Sequence, residues 1–388
     1  MRLLAVALTV FAGTASAQTC GGSVSSFIDG IKAEARANRI PAATADQFFQ
    51  GAAIDENVIR ADRAQGVFQK DFISFSRALI SQNRIDNGRI YSQRYDSTFK
   101  AIKARFGIPR GVLLAFWAFE TDYGQVQGNF NTRNALLTLA HDCRRAELFR
   151  PQLVAAIELF RRGGMDPATT TGAWAGEIGQ VQMLPLDIIA HGMDGDGDGH
   201  VTLKTSAPDA LMSGANVLSS LGWRPNEPWL QEITVPANLD WSQTGLNHKA
   251  RVRDWAAIGV AARQGALGPS DLPASILLPM GRDGPAFLAY PNFDVYFKWN
   301  KSFVYVTTAA YFANRLQGAA AYDAGTPSTP LTGPQMQQLQ QKLTDRGHDV
   351  GGIDGILGAR TRQAVQAEQS RLGLPADAWP TVDLINRL

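Results

Sequence analysis

The most informative segment of the chain runs PRGVLLAFWAFETDYG, from Pro109 to Gly124. Proline is well placed in the first turn of a helix, and glycine is common just past the end of one. Between them, apolar residues recur at helical spacing and form one continuous stripe. The pattern predicts a helix over 109–120 with an apolar face that packs into a protein core.

Glu120 is the unusual residue of this helix. It lies four positions after Phe116, so it continues the apolar stripe instead of facing solvent. Loss of solvent and the negative end of the helix dipole both disfavour a carboxylate, so both raise its pKa. A carboxyl group that stays protonated near neutral pH can serve as a general acid. The alternative is a structural ion pair with Arg105 or Arg133, since such pairs also shift pKa values.

The composition of the chain is that of a globular protein. Its 388 residues are 45% hydrophobic and 19% charged, which excludes intrinsic disorder for most of its length. The formal net charge is +2, and no run of Lys and Arg in the sequence would follow a phosphate backbone. We therefore expect no nucleic-acid partner, and we predict a monomer.

The N-terminus has the features of a secretory signal peptide over 1–17. A basic start at Arg2 precedes an apolar stretch, and Ala15-Ser-Ala17 matches an A-x-A cleavage site. No later stretch of the sequence is long and apolar enough for a transmembrane helix, so we expect an exported, periplasmic protein. Export permits a disulfide between Cys20 and Cys143, which we predict. Lipidation of Cys20 and free thiols are the alternatives.

Composition divides the chain into a large domain over 18–320, a linker over 321–330 rich in small residues and proline, and a tail over 331–388. Apolar spacing predicts helices at 24–38, 44–50, 66–81, 88–105, 109–120, 133–140, 146–162, 207–221, 247–257 and 302–316. Strand-like runs occur at 233–235 and 293–297. The predicted fold class is therefore mainly α, with small β elements.

The tail opens with a helix-initiation signal. Thr332-Gly-Pro-Gln335 is a capping box with proline in the first turn. Apolar residues follow at helical spacing, and further helices are expected near 361–372 and 381–388. The tail is therefore predicted to be a small three-helix module.

An aspartate-rich loop resembles the first half of a calcium-binding loop. Asp194, Asp196 and Asp198 stand at positions 1, 3 and 5, and His200 would offer its carbonyl at position 7. Thr205 stands where a standard EF-hand has glutamate. We predict a structural divalent-cation site, and the alternative is a Gly/Asp turn with solvated charges.

The segment Glu120-Thr-x-Tyr-Gly124 resembles the catalytic-glutamate motif of the membrane-bound lytic murein transglycosylase B family. Other segments resemble that family's motifs in the same order: Asp62-Arg63-x-Gln65-x-x-Phe68, Arg84-Ile85-x-x-Gly88, Trp174-Ala-Gly-Glu-Ile-Gly-Gln-Val-Gln182-Met-Leu-Pro185, Pro291-Asn-Phe293 and Trp299-Asn-x-Ser302. The resemblance covers most of 24–320. It implies a lysozyme-like catalytic domain that cleaves the MurNAc–GlcNAc β-1,4 bond of peptidoglycan and leaves 1,6-anhydromuramoyl ends.

The resemblance also implies roles for single residues. Glu120 is the expected acid and base. The expected substrate contacts are Tyr123, Gln182, Tyr290, Asn292, Trp299 and Asn300. Two positions depart from the family pattern: Ala173 stands where some members have serine, and Met183 replaces the usual phenylalanine. Asp209 falls where the family supplies a later carboxylate to its calcium loop, and no cofactor is expected for the chemistry itself.

One carboxyl group suffices in this family because the substrate's own C6 hydroxyl closes onto C1. A hydrolytic muramidase, the first alternative, would need a second carboxylate. Asp122 and Glu177 are the candidates for it. The second alternative is a non-catalytic cell-wall-binding protein.

The tail segment Asp354-Gly-x-x-Gly358-x-x-Thr361-x-x-Ala364-Val365-x-x-x-Gln369 resembles the three-helix peptidoglycan-binding domain. The match covers 331–388, and Glu368 stands where that family usually has phenylalanine. The resemblance implies that peptidoglycan glycan strands are the partner of the whole chain.

Overall fold

The computed structural model describes residues 20–64 and 70–388. The helices are α1 Val24–Ala37, α2 Ala42–Phe48, α3 Glu56–Arg63, α4 Phe72–Leu79, α5 Gln82–Arg94, α6 Asp96–Phe106, α7 Arg110–Thr121, α8 Thr132–His141, α9 Ala146–Arg161, α10 Pro185–His191, α11 Ala207–Ser220, α12 Val252–Ala257, α13 Pro291–Trp299, α14 Phe303–Leu316, α15 Gly333–Asp345, α16 Ala359–Arg371 and α17 Val382–Arg387. The strands are β1 Phe130–Asn131, β2 Thr171–Gly172, β3 Leu230–Thr234, β4 Ala250–Arg251, β5 Ala261–Ala262, β6 Pro273–Leu277 and β7 Ala286–Ala289. The fold is mainly α with small β elements, as predicted.

Some sequence predictions concern residues outside the described ranges. The predicted signal peptide 1–17 lies there, as do Gln65 and Phe68 of the family motif. Among the described residues, no helix is both long and apolar enough to cross a bilayer.

The described residues form two compact units, of which the first comprises 20–60 and Asn129–Gly176. The apolar faces of α1, α2, α8 and α9 form its core, and β1 pairs antiparallel with β2. Buried Arg133 donates hydrogen bonds to the carbonyls of Phe48 and Gln50, which ties the end of α2 to α8. A disulfide between Cys20 and Cys143 fixes the chain before α1 to the loop after α8.

The second unit comprises Ala61–Gly128 and Glu177–Leu388, and α7 lies in its core. Every residue of α7 from Gly111 to Ala118 is buried, and α14 packs along it. A Cβ at Gly111 would lie 2.5 Å from the carbonyl oxygen of Ala313, so only glycine permits this close approach. At the other end of this helix pair, the last turn of α7 lies against the first turn of α14.

A five-stranded antiparallel sheet in the order β4-β6-β7-β3-β5 belongs to the same unit. Leu230 of β3 pairs with Ala289 of β7, and Leu277 of β6 pairs with Phe287 of β7. One face of the sheet buries Trp255. Strand β7 leads directly into α13, so the sheet positions the helix that carries Trp299.

The C-terminal module consists of α15, α16 and α17, as predicted. The Thr332 hydroxyl accepts the amide of Gln335, whose side chain accepts the amide of Thr332 in return. The three helices bury a small core of their own: Met336, Leu339, Leu343, Val350, Ala364, Val365, Leu384 and Ile385.

The structure corrects three element predictions. The strand-like run 293–297 lies in helix α13, because Pro291 occupies its first turn and Phe293, Tyr296 and Phe297 then share one face. The predicted helix 88–105 is two helices, α5 and α6, which separate at Tyr95 where that ring packs against Trp117. The predicted helix 247–257 starts only at α12, because its earlier part pairs with β6 as strand β4.

Candidate active site

The last turn of α7 places Glu120 at the edge of the core. The helix stops there because Asp122, Tyr123 and Gly124 are all left-handed, with φ of 51°, 59° and 85°. The hydroxyl of Thr121 accepts the amide of Gly124 at 2.9 Å and closes this turn. Glu120 itself is half-buried, so its carboxyl group is shielded but reachable.

Two neutral donors bind the carboxyl group of Glu120. The Tyr305 hydroxyl donates to Oε1 at 2.6 Å, and the Trp299 indole N–H donates to the same oxygen at 3.0 Å. Within the described part of the chain, no hydrogen bond is directed at Oε2. The ion pair with Arg105 or Arg133, the alternative from the sequence, is not formed among the described residues. Glu120 is instead held by uncharged groups.

Opposing influences act on the protonation of Glu120. Burial raises the pKa of its carboxyl group, and the hydrogen bonds from Tyr305 and then Trp299 counteract that increase. Burial also raises the pKa of Tyr305 well above its usual value, and the adjacent Glu120 charge adds to this. Tyr305 therefore remains a hydrogen-bond donor throughout the neutral pH range.

Both donors come from the corner between α13 and α14. Trp299 ends α13, and its ring packs on Phe116 with centroids 4.5 Å apart. Ser302 accepts the amide of Tyr305 and caps α14, while the side chain of Asn300 accepts the amide of Ser302 at 2.8 Å. Tyr305 is a site residue that the sequence reasoning missed, because nothing in the sequence links it to Glu120 across 185 positions.

The segment 178–183 folds onto the end of α7. Gln180 accepts the indole N–H of Trp117 at 3.0 Å, and its carbonyl accepts the hydroxyl of Thr121 at 2.6 Å. A Cβ at Gly124 would lie 2.6 Å from the Gln180 side chain, so the motif glycine makes room for this contact. Gln180 was not predicted, although it belongs to the same family motif as Gln182.

Gln182 lies in this segment with a left-handed φ of 52°. Its side-chain amide donates to the carbonyl of Gly179 at 2.8 Å and to that of Gln127 at 3.4 Å. Antiparallel bridging of Ile178 with Met183 closes the turn around it. The strained backbone and the held amide give Gln182 a fixed orientation.

The structure places three predicted substrate residues in the protein interior. The Tyr123 hydroxyl donates to the carbonyl of Arg84 at 2.7 Å, and the ring is 4% exposed. The Tyr290 hydroxyl donates to Gln231 at 2.6 Å. Asn292 is fully buried and binds the backbone on both sides of its amide. The polar groups of these residues are engaged within the protein.

The two candidate second carboxylates differ in their surroundings. Asp122 accepts a hydrogen bond from the guanidinium of Arg84 at 3.0 Å, so its charge is paired at the helix end. Glu177 is half-buried just before the turn at Ile178.

Three carboxylates of the aspartate-rich loop converge. Oxygens of Asp194, Asp196 and Asp209 lie within 4.8 Å of one another, with Asp209 fully buried at the start of α11. An all-carboxylate donor set of this kind suits a hard cation such as Ca²⁺. The predicted ligand Asp198 is not in this group of side chains, and its carboxylate accepts the backbone amide of His200 at 2.8 Å. The backbone carbonyl of His200 stays a predicted ligand.

Backbone amides already orient this loop. Gly199 and Gly197 donate to Asp194, and these bonds lower the pKa of its carboxyl group. Gly195 and Thr202 donate to Asp209 at 2.8 and 2.7 Å. Backbone amides therefore hold the carboxylates of Asp194 and Asp209 in fixed positions within this group.

The domain is mainly helical, has a carboxyl group at the end of a buried helix, and has a lysozyme-like fold. The chain belongs to the Transglycosylase SLT domain family, whose sequence profile matches residues 23–314. Residues 332–388 match the peptidoglycan binding domain.

Individual relatives agree with this assignment. SltB3 from Pseudomonas aeruginosa, solved in complex with NAG-anhNAM-pentapeptide, is 34% identical, with a TM-score of 0.86 over 95% of this chain and 99% of that one. Membrane-bound lytic murein transglycosylase B from Escherichia coli is 26% identical over 234 residues, 60% of this chain. The match spans 63% of that relative's length. Lytic transglycosylase Slt35 from Escherichia coli, solved in complex with calcium, shares the fold, with 24% identity and a TM-score of 0.64 over 78% of this chain and 97% of that one.

Proposed function

We propose that the protein is a peptidoglycan lytic transglycosylase that cleaves the MurNAc–GlcNAc β-1,4 bond and forms 1,6-anhydromuramoyl ends. The observation that carries this proposal is the half-buried Glu120, whose pKa is raised by burial and which is bound only by neutral donors among the described residues. The family assignment and the peptidoglycan fragment bound by SltB3 support it.

Glu120 acts first as an acid and then as a base. Its proton passes to the glycosidic oxygen as the C1–O bond breaks, which leaves a carboxylate and an electron-poor C1. The C6 hydroxyl of the same sugar attacks C1, and the carboxylate removes its proton, so that the acid is regenerated. No water is consumed. The hydrogen bonds from Tyr305 and Trp299 stabilise the carboxylate between the two steps.

We expect the sugar to lie next to the carboxyl group of Glu120. Trp299 is half-buried and offers part of its ring, and Asn300 and Gln182 are half-buried amides. Aromatic rings and amides are suited to the faces and hydroxyls of sugars. Tyr123, Tyr290 and Asn292 are better explained as supports of this surface.

The critical experiment compares Glu120→Gln with Glu177→Gln on purified sacculi. Glu120→Gln should abolish turnover while the protein stays folded and still sediments with sacculi, and Glu177→Gln should retain turnover. Mass spectrometry of the wild-type fragments should find anhydro ends. Reducing ends, together with inactivity of Glu177→Gln, would support the hydrolytic muramidase instead. Full activity of Glu120→Gln would defeat the proposal.

A structural Ca²⁺ ion is proposed for the aspartate-rich loop. Asp194, Asp196 and Asp209 would hold it, and it would fix the loop that follows Gln182 without entering the reaction. The calcium complex of Slt35 supports the proposal. Added calcium should raise the melting temperature of the wild type but not of Asp209→Asn. An unchanged melting temperature over a wide calcium range would contradict the site.

The C-terminal module is proposed to bind the cell wall, and the chain to work outside the cytoplasm. The match of 332–388 to the peptidoglycan binding domain supports the first statement, and the Cys20–Cys143 disulfide supports the second. N-terminal sequencing of the protein from fractionated cells tests export. A periplasmic protein that begins at Gln18 is the expected result, and a cytoplasmic protein that retains Met1 would contradict it.

A further inference from the structure

The C-terminal module is bound to the catalytic domain over a broad contact. The side-chain amide of Gln366 in α16 donates to the carbonyls of Trp241 and Thr244 at 3.1 and 3.0 Å. The carboxylate of Asp377 accepts the amide of Arg282 at 3.1 Å. These bonds join the module to the loops at one end of the five-stranded sheet.

The linker is bound as well. The Tyr322 ring packs against Phe72 and Tyr311, and its hydroxyl lies 2.8 Å from that of Ser76. Further along, Ser328 accepts the indole N–H of Trp379 at 3.0 Å. The linker thus follows the catalytic domain instead of forming a free tether, which leaves the module in one defined place.

Arg362 of α16 lies at the centre of this contact. Only 8% of the residue is exposed, and its guanidinium donates to the carbonyl of Pro279 at 2.6 Å. Its central carbon lies 4.5 Å from the centre of the Phe303 ring. A buried cation needs such partners to offset the loss of water, and the face of an aromatic ring attracts it.

Phe303 belongs to the corner that serves Glu120. It is the first residue of α14, two positions before Tyr305, and its ring packs against Phe297 of α13 at 6.2 Å. Trp299 lies two positions after Phe297. Arg362 therefore contacts, through Phe303, the junction of α13 and α14. These two helices carry Trp299 and Tyr305, the hydrogen-bond donors to the carboxyl group of Glu120.

We propose that Arg362 of the C-terminal module is a positioning residue for Glu120, acting through Phe303 on the corner that carries Trp299 and Tyr305. The module would then have two tasks, to bind the wall and to complete the active site. This inference rests on the proposed function, since it concerns the rate of that reaction. It predicts that the module contributes to turnover even on substrates too small to engage the wall-binding surface.

The test uses the full chain and soluble, uncrosslinked glycan strands. Arg362→Met keeps the length of the side chain but removes its charge and its donors, and Arg362→Lys keeps the charge. The matched control is Arg360→Met on the same helix, because Arg360 is largely exposed and pairs with Asp349 inside the module. Circular dichroism and melting curves identify the variants that are folded at the assay temperature.

We expect Arg362→Met to lower kcat by roughly tenfold to a hundredfold, the scale of a small misplacement of catalytic groups, with KM nearly unchanged. Arg362→Lys should recover part of the loss, and Arg360→Met should retain the wild-type kcat. Sedimentation with sacculi should persist in both Arg362 variants, because Arg362 is buried.

The double variant Arg362→Met with Phe303→Leu should lower kcat only slightly more than the more severe of the two single variants, since both substitutions act on one contact. If Arg362→Met does not fold, Arg362→Lys and Phe303→Leu carry the test, and a wild-type kcat in both overturns the proposal. A folded Arg362→Met with wild-type kcat also overturns it, as does an equal loss in Arg360→Met. A wild-type protein without turnover would instead defeat the proposed function, so the two failures are distinguishable.

Discussion

Replacing Tyr305 by phenylalanine tests the balance of forces on Glu120 directly. The substitution removes the 2.6 Å hydrogen bond to Oε1 and leaves the ring in place. A hydrogen bond to a charged acceptor contributes about 1.5–3 kcal/mol, and about 1.4 kcal/mol corresponds to a factor of ten in an equilibrium constant. Because Trp299 still donates to the same oxygen, we expect the lower end of that range, about a tenfold gain in the proton affinity of Glu120.

The direction of the change in kcat follows from the roles of the protonated and ionised forms of Glu120. Without the Tyr305 hydroxyl the carboxylate is less stable, so the pKa of Glu120 rises and the acid persists to higher pH. The alkaline limb of kcat should therefore move to higher pH. Its plateau should fall by up to about tenfold, because the bond that stabilises the developing carboxylate is missing.

The assay is the formation of anhydro-ended products from soluble glycan strands, followed by mass spectrometry from acid to alkaline pH. Tyr311→Phe is the matched control: Tyr311 is also buried in α14, and its hydroxyl accepts the amide of Tyr322 instead of facing Glu120. An alkaline limb that stays in place or moves down in folded Tyr305→Phe would refute the reasoning. An equal shift in Tyr311→Phe would refute it as well.

Three further changes have defined outcomes. Trp299→Phe should move the alkaline limb of kcat to higher pH, as Tyr305→Phe does, but by less, because the hydrogen bond from Trp299 to Glu120 is longer, at 3.0 Å. A shift to lower pH would contradict this. Glu120→Gln should raise the melting temperature at neutral pH and lose this advantage below about pH 4.3. Burial raises the carboxyl pKa in the folded state, so the wild type loses stability as pH rises from the unfolded-state pKa of about 4.3 through the folded-state value. A constant difference at all pH values would argue against a raised pKa. Replacing Cys20 and Cys143 by serine removes a disulfide between residues 123 positions apart in the sequence. The free energy of unfolding, measured by denaturant titration, should fall by about 2–5 kcal/mol. Equal stability of the variant and the oxidised wild type would contradict this.

Local sequence patterns were sufficient to predict helix α7 and its last turn. Pro109, the apolar stripe and Gly124 are contiguous, so propensity and burial agree there. The capping box at Thr332 was predictable for the same reason, since its partners are three residues apart. The prediction of a strand at 293–297 was wrong. The apolar residues of this segment fit both a strand and one face of a helix, and only tertiary packing distinguishes the two.

The parts of the site that depend on contacts between distant residues could not be predicted from the sequence. Tyr305 meets Glu120 because α14 packs along α7, and neither residue type signals that pairing. Tyr290 and Asn292 carry the polar groups expected at a sugar site, yet the chain turns them inward toward Gln231 and the backbone. Residue type indicates what a side chain can bind, whereas the packing of its element decides which partner it meets.

One carboxyl group can serve as both acid and base only if neither form is too stable. Burial alone would favour the protonated form of Glu120 and weaken the base, whereas a fixed cation such as Arg84 at this position would favour the anion and weaken the acid. The chain instead pairs Arg84 with Asp122 and surrounds Glu120 with two neutral donors. These donors offset part of the effect of burial without adding a charge. Because burial and the Glu120 charge keep the pKa of Tyr305 well above its usual value, Tyr305 does not compete as a proton donor to the sugar. Under the proposed mechanism, the proton that cleaves the glycosidic bond therefore comes from Glu120, and Glu120 is the group that recovers it.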